Sequence, residues 1–114
     1  MSAITTHVLD LTRGVPARGM GVTLEIYMIE RGWVKLGEKA TDLEGRVRDF
    51  FKPGSALDPA HYRLIFEVGE YFRALGETSF YPGVTVTFEV RDPTQHHHVP
   101  LLVSPYGYST YRGS

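Results

Sequence analysis

Three stretches of this chain alternate apolar and polar side chains with a period of two. Val22, Leu24, Ile26 and Met28 interleave with Thr23, Glu25 and Tyr27; Tyr62, Leu64, Phe66 and Val68 with Arg63, Ile65 and Glu67; Val84, Val86, Phe88 and Val90 with Thr85, Thr87, Glu89 and Arg91. Successive side chains of a strand point to opposite faces, so each stretch reads as a strand with one buried and one wet face. Shorter candidates run from Ile4 to Leu9, Trp33 to Ala40 and Arg46 to Phe50. Turn residues at Gly14-Val15-Pro16, Glu30-Arg31-Gly32 and Asp42 to Gly45 separate them. Only Glu70 to Leu75, with Tyr71, Phe72 and Leu75 at helical spacing between Gly69 and Gly76, predicts a helix, of about two turns. Roughly seven or eight short strands and one short helix predict an all-β fold, a β-sandwich of two antiparallel sheets packed face to face.

The 114 residues are expected to form a single domain over 1–114. A chain of this length buries roughly two-thirds of its unfolded surface and needs no metal or disulfide to hold a core. Twelve Lys and Arg against 13 Asp and Glu leave a net charge of -1, without the basic excess that nucleic acid or an anionic membrane calls for. Neither partner is expected. With no Cys, a disulfide framework, a thiol nucleophile and thiolate-bound zinc are excluded, which leaves His, carboxylates, hydroxyls and Arg for chemistry. The apolar stretches fall far short of the roughly 20 residues of a membrane helix, and Met1 leads into Ile4 and Val8 without a signal-like segment. The expected location is cytoplasmic, or periplasmic if a signal peptide has been removed.

Val99-Pro100-Leu101-Leu102-Val103 breaks the alternation, being apolar at odd and even positions alike. A sandwich strand with one wet face should alternate, so the outer face of this one needs a cover. A second copy of the chain is the expected cover, with Tyr106, Tyr108 and Tyr111 as interface aromatics; the chain's own helix is the alternative.

Among the five His, His7 lies in the first candidate strand and His96, His97 and His98 precede the last. On a strand, His96 and His98 face one way and His97 the other. A His-x-His pair joined by a third His builds a zinc site with an open position for water, and His7 is the candidate third ligand; a solvated His-rich turn is the plainer reading. Arg46 follows Gly45 at a turn entering a strand, which alone marks a surface Arg. The glycines around Pro16 and Ala17 do not lead from a strand into a helix and so form no dinucleotide loop. Serine-hydrolase elbow, P-loop and zincin motifs are absent. The last residues, Tyr111-Arg112-Gly113-Ser114, offer a phenol, a guanidinium and a hydroxyl beside a free carboxylate, which suit either a tail folded into a site or a frayed end.

Five segments carry a resemblance: Thr6-His7-Val8-Leu9-Asp10; Gly14-x-Pro16-Ala17; Thr41-Asp42-x-x-Gly45-Arg46; His96-x-His98-Val99-Pro100-Leu101-Leu102-Val103-Ser104-Pro105; and Tyr108-Ser109-Thr110-Tyr111-Arg112-Gly113-Ser114. Together they resemble the 5-hydroxyisourate hydrolase family, the transthyretin-related enzymes of urate breakdown. The likeness runs the length of the chain. The first two segments would also suit transthyretin, a hormone carrier, but the two His and the terminal Tyr-Arg-Gly-Ser separate the enzyme from the carrier. His97 departs from the pattern, since the family more often has an aromatic residue there.

The resemblance implies a homotetramer, a dimer of dimers with a channel between dimers, and active sites built from His7, Arg46, His98 and Tyr111 to Ser114 of neighbouring subunits. It also implies a reaction without metal or cofactor, in which the ring amide of 5-hydroxyisourate is hydrolysed between N1 and C6. His98 or His7 would take the proton of water and return it. Arg46 would stabilise the developing oxyanion. Tyr111, Arg112 and Gly113 would contribute to substrate binding, and the hydroxyl or carboxylate of Ser114 would position His98 or the water. The competing expectations are a carrier that binds a small aromatic ligand in the same channel, and a His-based metalloprotein.

Overall fold

The three alternating stretches lie side by side in one sheet. A computed structural model describes residues 3–114. That sheet has the order β4 (Gly32–Ala40), β3 (Gly21–Met28), β6 (Ala60–Phe66), β7 (Val84–Val90), all antiparallel. The second sheet has the order β2 (Val15–Pro16), β1 (Ile4–Asp10), β8 (His97–Ser104), β9 (Gly107–Thr110), with β5 (Arg46–Val47) also paired to β1. One helix, α1 (Val68–Ala74), joins β6 to β7. Among the described residues no helix is long and apolar enough to cross a membrane.

The sheets bury the faces that the alternation selects. Val22, Leu24, Tyr62, Leu64 and Phe66 pack against Ile4, Val8, Leu101 and Val103 from the other sheet, and Phe72 of α1 joins the same core. Thr6 and Asp10 share the inward face of β1 with Ile4 and Val8 and are fully buried. Burial of such groups is tolerable only when they are hydrogen-bonded. Thr6 donates to the Val99 carbonyl at 2.5 Å. Asp10 accepts from the Tyr71 hydroxyl at 2.8 Å, the Arg13 guanidinium at 3.1 Å and two backbone N–H groups.

Several boundaries differ from the sequence expectation. Val68 is buried as the first residue of α1, not as the end of a strand. The strand expected over Arg46 to Phe50 stops at Val47. The two sheets are not both antiparallel: β1 and β8 run parallel from Ile4↔His97 to Asp10↔Val103. A parallel neighbour cannot be reached by a hairpin, only by a crossover. Here the chain passes through the other sheet between β1 and β8, and β8 returns in the direction of β1.

Candidate functional site

The parallel register decides which side chains meet. With Ile4, Thr6 and Val8 turned into the core, Thr5, His7 and Leu9 share the outer face of β1. Thr5 is opposite His98 and His7 opposite Pro100. On the other flank of β1, Arg46 is opposite His7.

Arg46 is set there by the Thr41-Asp42-x-x-Gly45 turn. Thr41 anchors it by donating to the Ala17 carbonyl at 2.6 Å and accepting from the Met20 N–H at 2.9 Å. Asp42 Oδ1 accepts from the N–H groups of Glu44 and Arg46, both at 2.9 Å, which holds its carboxyl below the usual carboxylate range. Gly45 has φ +76°, and its carbonyl accepts from the Val8 N–H at 2.7 Å. A β-carbon there would meet the Val8 oxygen at 2.5 Å, so only glycine lets the turn close on β1.

On the opposite flank, the His-x-His parity holds. His97 points into the core side, 5% exposed, and its Nδ1 has no hydrogen-bond partner among the described residues. His96 and His98 lie on the outer side with ring centroids 6.2 Å apart. They do not converge with His7 on a common point. Between them sits the Thr5 hydroxyl, 2.8 Å from His96 Nε2 and 2.8 Å from His98 Nδ1. Among the described residues, no group of three or more His, Cys, Asp or Glu is placed to hold a metal ion.

The tail completes the floor of the site. Gly113 forms an isolated bridge with His98, donating its N–H to the His98 carbonyl at 2.8 Å. It also lies on Pro100, so the chain's own tail covers part of the outer face of β8 that a second copy or α1 was expected to cover. Ser114 thereby reaches a cavity of about 370 Å³ that Thr5, Arg46, Arg48, His96 and His98 also line. His7 flanks this group beside Arg46 without lining the cavity itself.

Tyr111 and Arg112 are placed differently. Tyr111 is 60% exposed and borders a second cavity of about 150 Å³ with Val86, Phe88 and Thr110, which meets the first at His98. The Arg112 guanidinium reaches Gln95 Oε1 at 3.1 Å and the His96 carbonyl at 3.4 Å, clamping the tail to the loop before β8. It shares an open depression with His96, Gly113 and Ser114.

Electrostatics favour a neutral imidazole in the site. Burial above all, then the charges of Arg46, His96 and His7, lowers the pKa of His98 below the usual 6.5. Burial and Arg46 likewise lower that of His7, against a backbone hydrogen bond at Glu44. A neutral imidazole beside a permanent guanidinium charge can take a proton from water while the charge stabilises a developing anion. Thr5 belongs to the site without any motif that marks it in the sequence. Its signal was its position two residues before His7, on the same strand face, but the partner across the sheet is visible only in the register.

The HIUase/Transthyretin family model matches residues 4–113. The chain belongs to that family. This family member is 46% identical to the 5-hydroxyisourate hydrolase of Caulobacter vibrioides, with 100% of each chain covered. It superposes on the 5-hydroxyisourate hydrolase of Klebsiella pneumoniae with a TM-score of 0.85 at 33% identity, covering 100% of this chain and 94% of that one. It also matches a solved (S)-allantoin synthase, TM-score 0.87 and 36% identity, over 97% of its own length; it spans 43% of that longer chain.

Proposed function

We propose that this chain hydrolyses 5-hydroxyisourate in urate breakdown, opening the ring amide between N1 and C6 to give 2-oxo-4-hydroxy-4-carboxy-5-ureidoimidazoline. The observation that carries the reading is the joint placement of Arg46 and His98 at one cavity, with Ser114 beside them. Amide hydrolysis needs an activated water, a polarised carbonyl and a proton for the leaving nitrogen. His98, neutral near pH 7, takes the water proton as hydroxide attacks C6 and later returns it to N1. Arg46 presents a rigid fork of donors to the oxyanion that forms on the C6 carbonyl oxygen. His7, beside Arg46, orients the substrate ring, and Ser114 positions the water or His98. Tyr111, Arg112 and Gly113 contribute to substrate binding; for Gly113 the support is its contact with His98.

A homotetramer belongs to the same proposal. Its support is the edges of β7 and β9, unpaired among the described residues, with Tyr108 of β9 43% and Tyr111 just after it 60% exposed, which suit burial against further copies. Tyr111 would then close a site from a neighbouring subunit.

The test generates 5-hydroxyisourate in situ with urate oxidase and follows its ultraviolet decay with and without this protein, the enzyme for the next step being absent. Decay well above the spontaneous rate supports the hydrolase. No acceleration by a protein that light scattering shows to be tetrameric overturns it, and ligand screening for a carrier follows.

A further inference from the structure

The Thr5 hydroxyl has one proton and two imidazole neighbours. It can donate to only one of them, so when both rings are neutral the other must donate to it. The tautomers of His96 and His98 are therefore coupled. In one arrangement His98 Nδ1–H donates to Thr5 Oγ1 and Thr5 Oγ1–H donates to His96 Nε2, which leaves the lone pair of His98 Nε2 free to act as a base. The reverse arrangement leaves His98 Nε2 protonated and unable to accept.

We propose that Thr5 relays protons between His98 and His96, so that a proton taken from water at His98 becomes a positive charge on His96. His98 Nε2 gains the water proton, its Nδ1 proton passes to Thr5 Oγ1, and the former Thr5 proton passes to His96 Nε2. An O–H bond of water and the His98 Nδ1–H bond break; N–H bonds at His98 Nε2 and His96 Nε2 form; Thr5 exchanges one O–H bond for another. The reverse sequence supplies the proton for the leaving nitrogen.

The surroundings favour this direction. His98 is half-buried, with His7 from β1 and Arg46 from β5 facing it and Arg48 and Ser114 on the same cavity. A positive charge retained there would be desolvated and repelled. His96 has Arg112 at its carbonyl and Arg48 and Arg46 on the same cavity, but it is exposed, so a charge on it is solvated by water and screened from them. Thr5 itself is 4% exposed, which keeps bulk water from competing for its proton.

The role in turnover rests on the hydrolase reading, whereas the coupling itself is readable without substrate. Thr5→Val keeps the β-branched shape and removes the hydroxyl; Thr5→Ser keeps the hydroxyl. Thr5→Val is expected to lower kcat by roughly tenfold or more with KM little changed, and to shift the acid limb of the kcat profile, while Thr5→Ser restores both. His96→Asn is expected to lower kcat in the wild type and to add nothing in Thr5→Val. By 15N NMR, the neutral rings of the wild type should show His98 protonated at Nδ1 and His96 Nε2 as the acceptor, and Thr5→Val should lose this pairing of tautomers. Unchanged kcat and pH profile in Thr5→Val, or additive losses with His96→Asn, overturn the relay. A wild type without turnover overturns the hydrolase reading alone, and the NMR tautomers then decide the coupling: unaltered tautomers in Thr5→Val overturn it.

Discussion

Gly113 and His98 are packed so closely that no side chain fits between them. A β-carbon on Gly113 would lie 2.6 Å from His98 Cδ2, well inside van der Waals contact. With Thr5 on the Nδ1 side and Gly113 on the Cδ2 side, the imidazole is gripped at two edges. Gly113→Ala should therefore displace the ring and lower kcat by roughly tenfold or more, with the melting temperature nearly unchanged because the bridge lies outside the core. Turnover together with thermal unfolding checks both halves; full activity would mean the ring tolerates a shift.

His98→Asn removes the proposed base and keeps the polar shape. The expected loss in kcat is at least about 100-fold, the lower end of acid–base contributions, with oligomeric state unchanged. Steady-state kinetics and light scattering of the same sample measure the two.

Arg46→Gln should lower kcat/KM by about 3 kcal/mol in transition-state stabilisation, the scale of one lost oxyanion contact. Its pH profile carries a second expectation. Because burial and the Arg46 charge hold His98 below 6.5, the wild type keeps its base form through pH 6.5 and loses activity only as the pH falls through the lower folded value. Without the Arg46 charge, the folded value rises and the acid limb moves toward higher pH. A limb that stays put would assign it to another group.

His97→Phe is expected to stabilise the fold. The His97 ring is buried with Nδ1 unpartnered, and removing such a group relieves a desolvation penalty of about 1 kcal/mol or more. Burial first, then Arg112, lowers its pKa, as burial also does for His7 and His98. Below pH 6.5 the unfolded chain then binds protons that the folded chain refuses, so stability falls with falling pH until the folded values are reached. Denaturant unfolding at pH 7.5 and 5.5 should show a smaller acid loss in His97→Phe than in the wild type.

Much of this fold was legible in the sequence because one-face burial writes itself as alternation. β3, β6 and β7 could be placed from Val22, Leu64 and Val84 and their neighbours, and the separation of His97 from the face of His96 and His98 followed from parity alone. What could not be read was pairing. β2 spans two residues, too few for any period, and nothing in Thr5 or His98 announces that their strands run parallel. The site suffered most from this: Arg46, His98 and Ser114 were identified through motifs, whereas Thr5 emerges only when the register sets it opposite His98. The same limit hid the separation of Tyr111 from Ser114, three residues apart yet bordering different cavities.

The contact between Thr5 and His98 spans 93 positions of sequence. Everything between β1 and β8, including the whole four-stranded sheet, must therefore be in existence before the two can touch. In refolding, the same closure of β1 onto β8 is a high-contact-order event and slow relative to local hairpins. Regain of the proposed activity is therefore expected to follow formation of the β3–β4 hairpin instead of accompanying it.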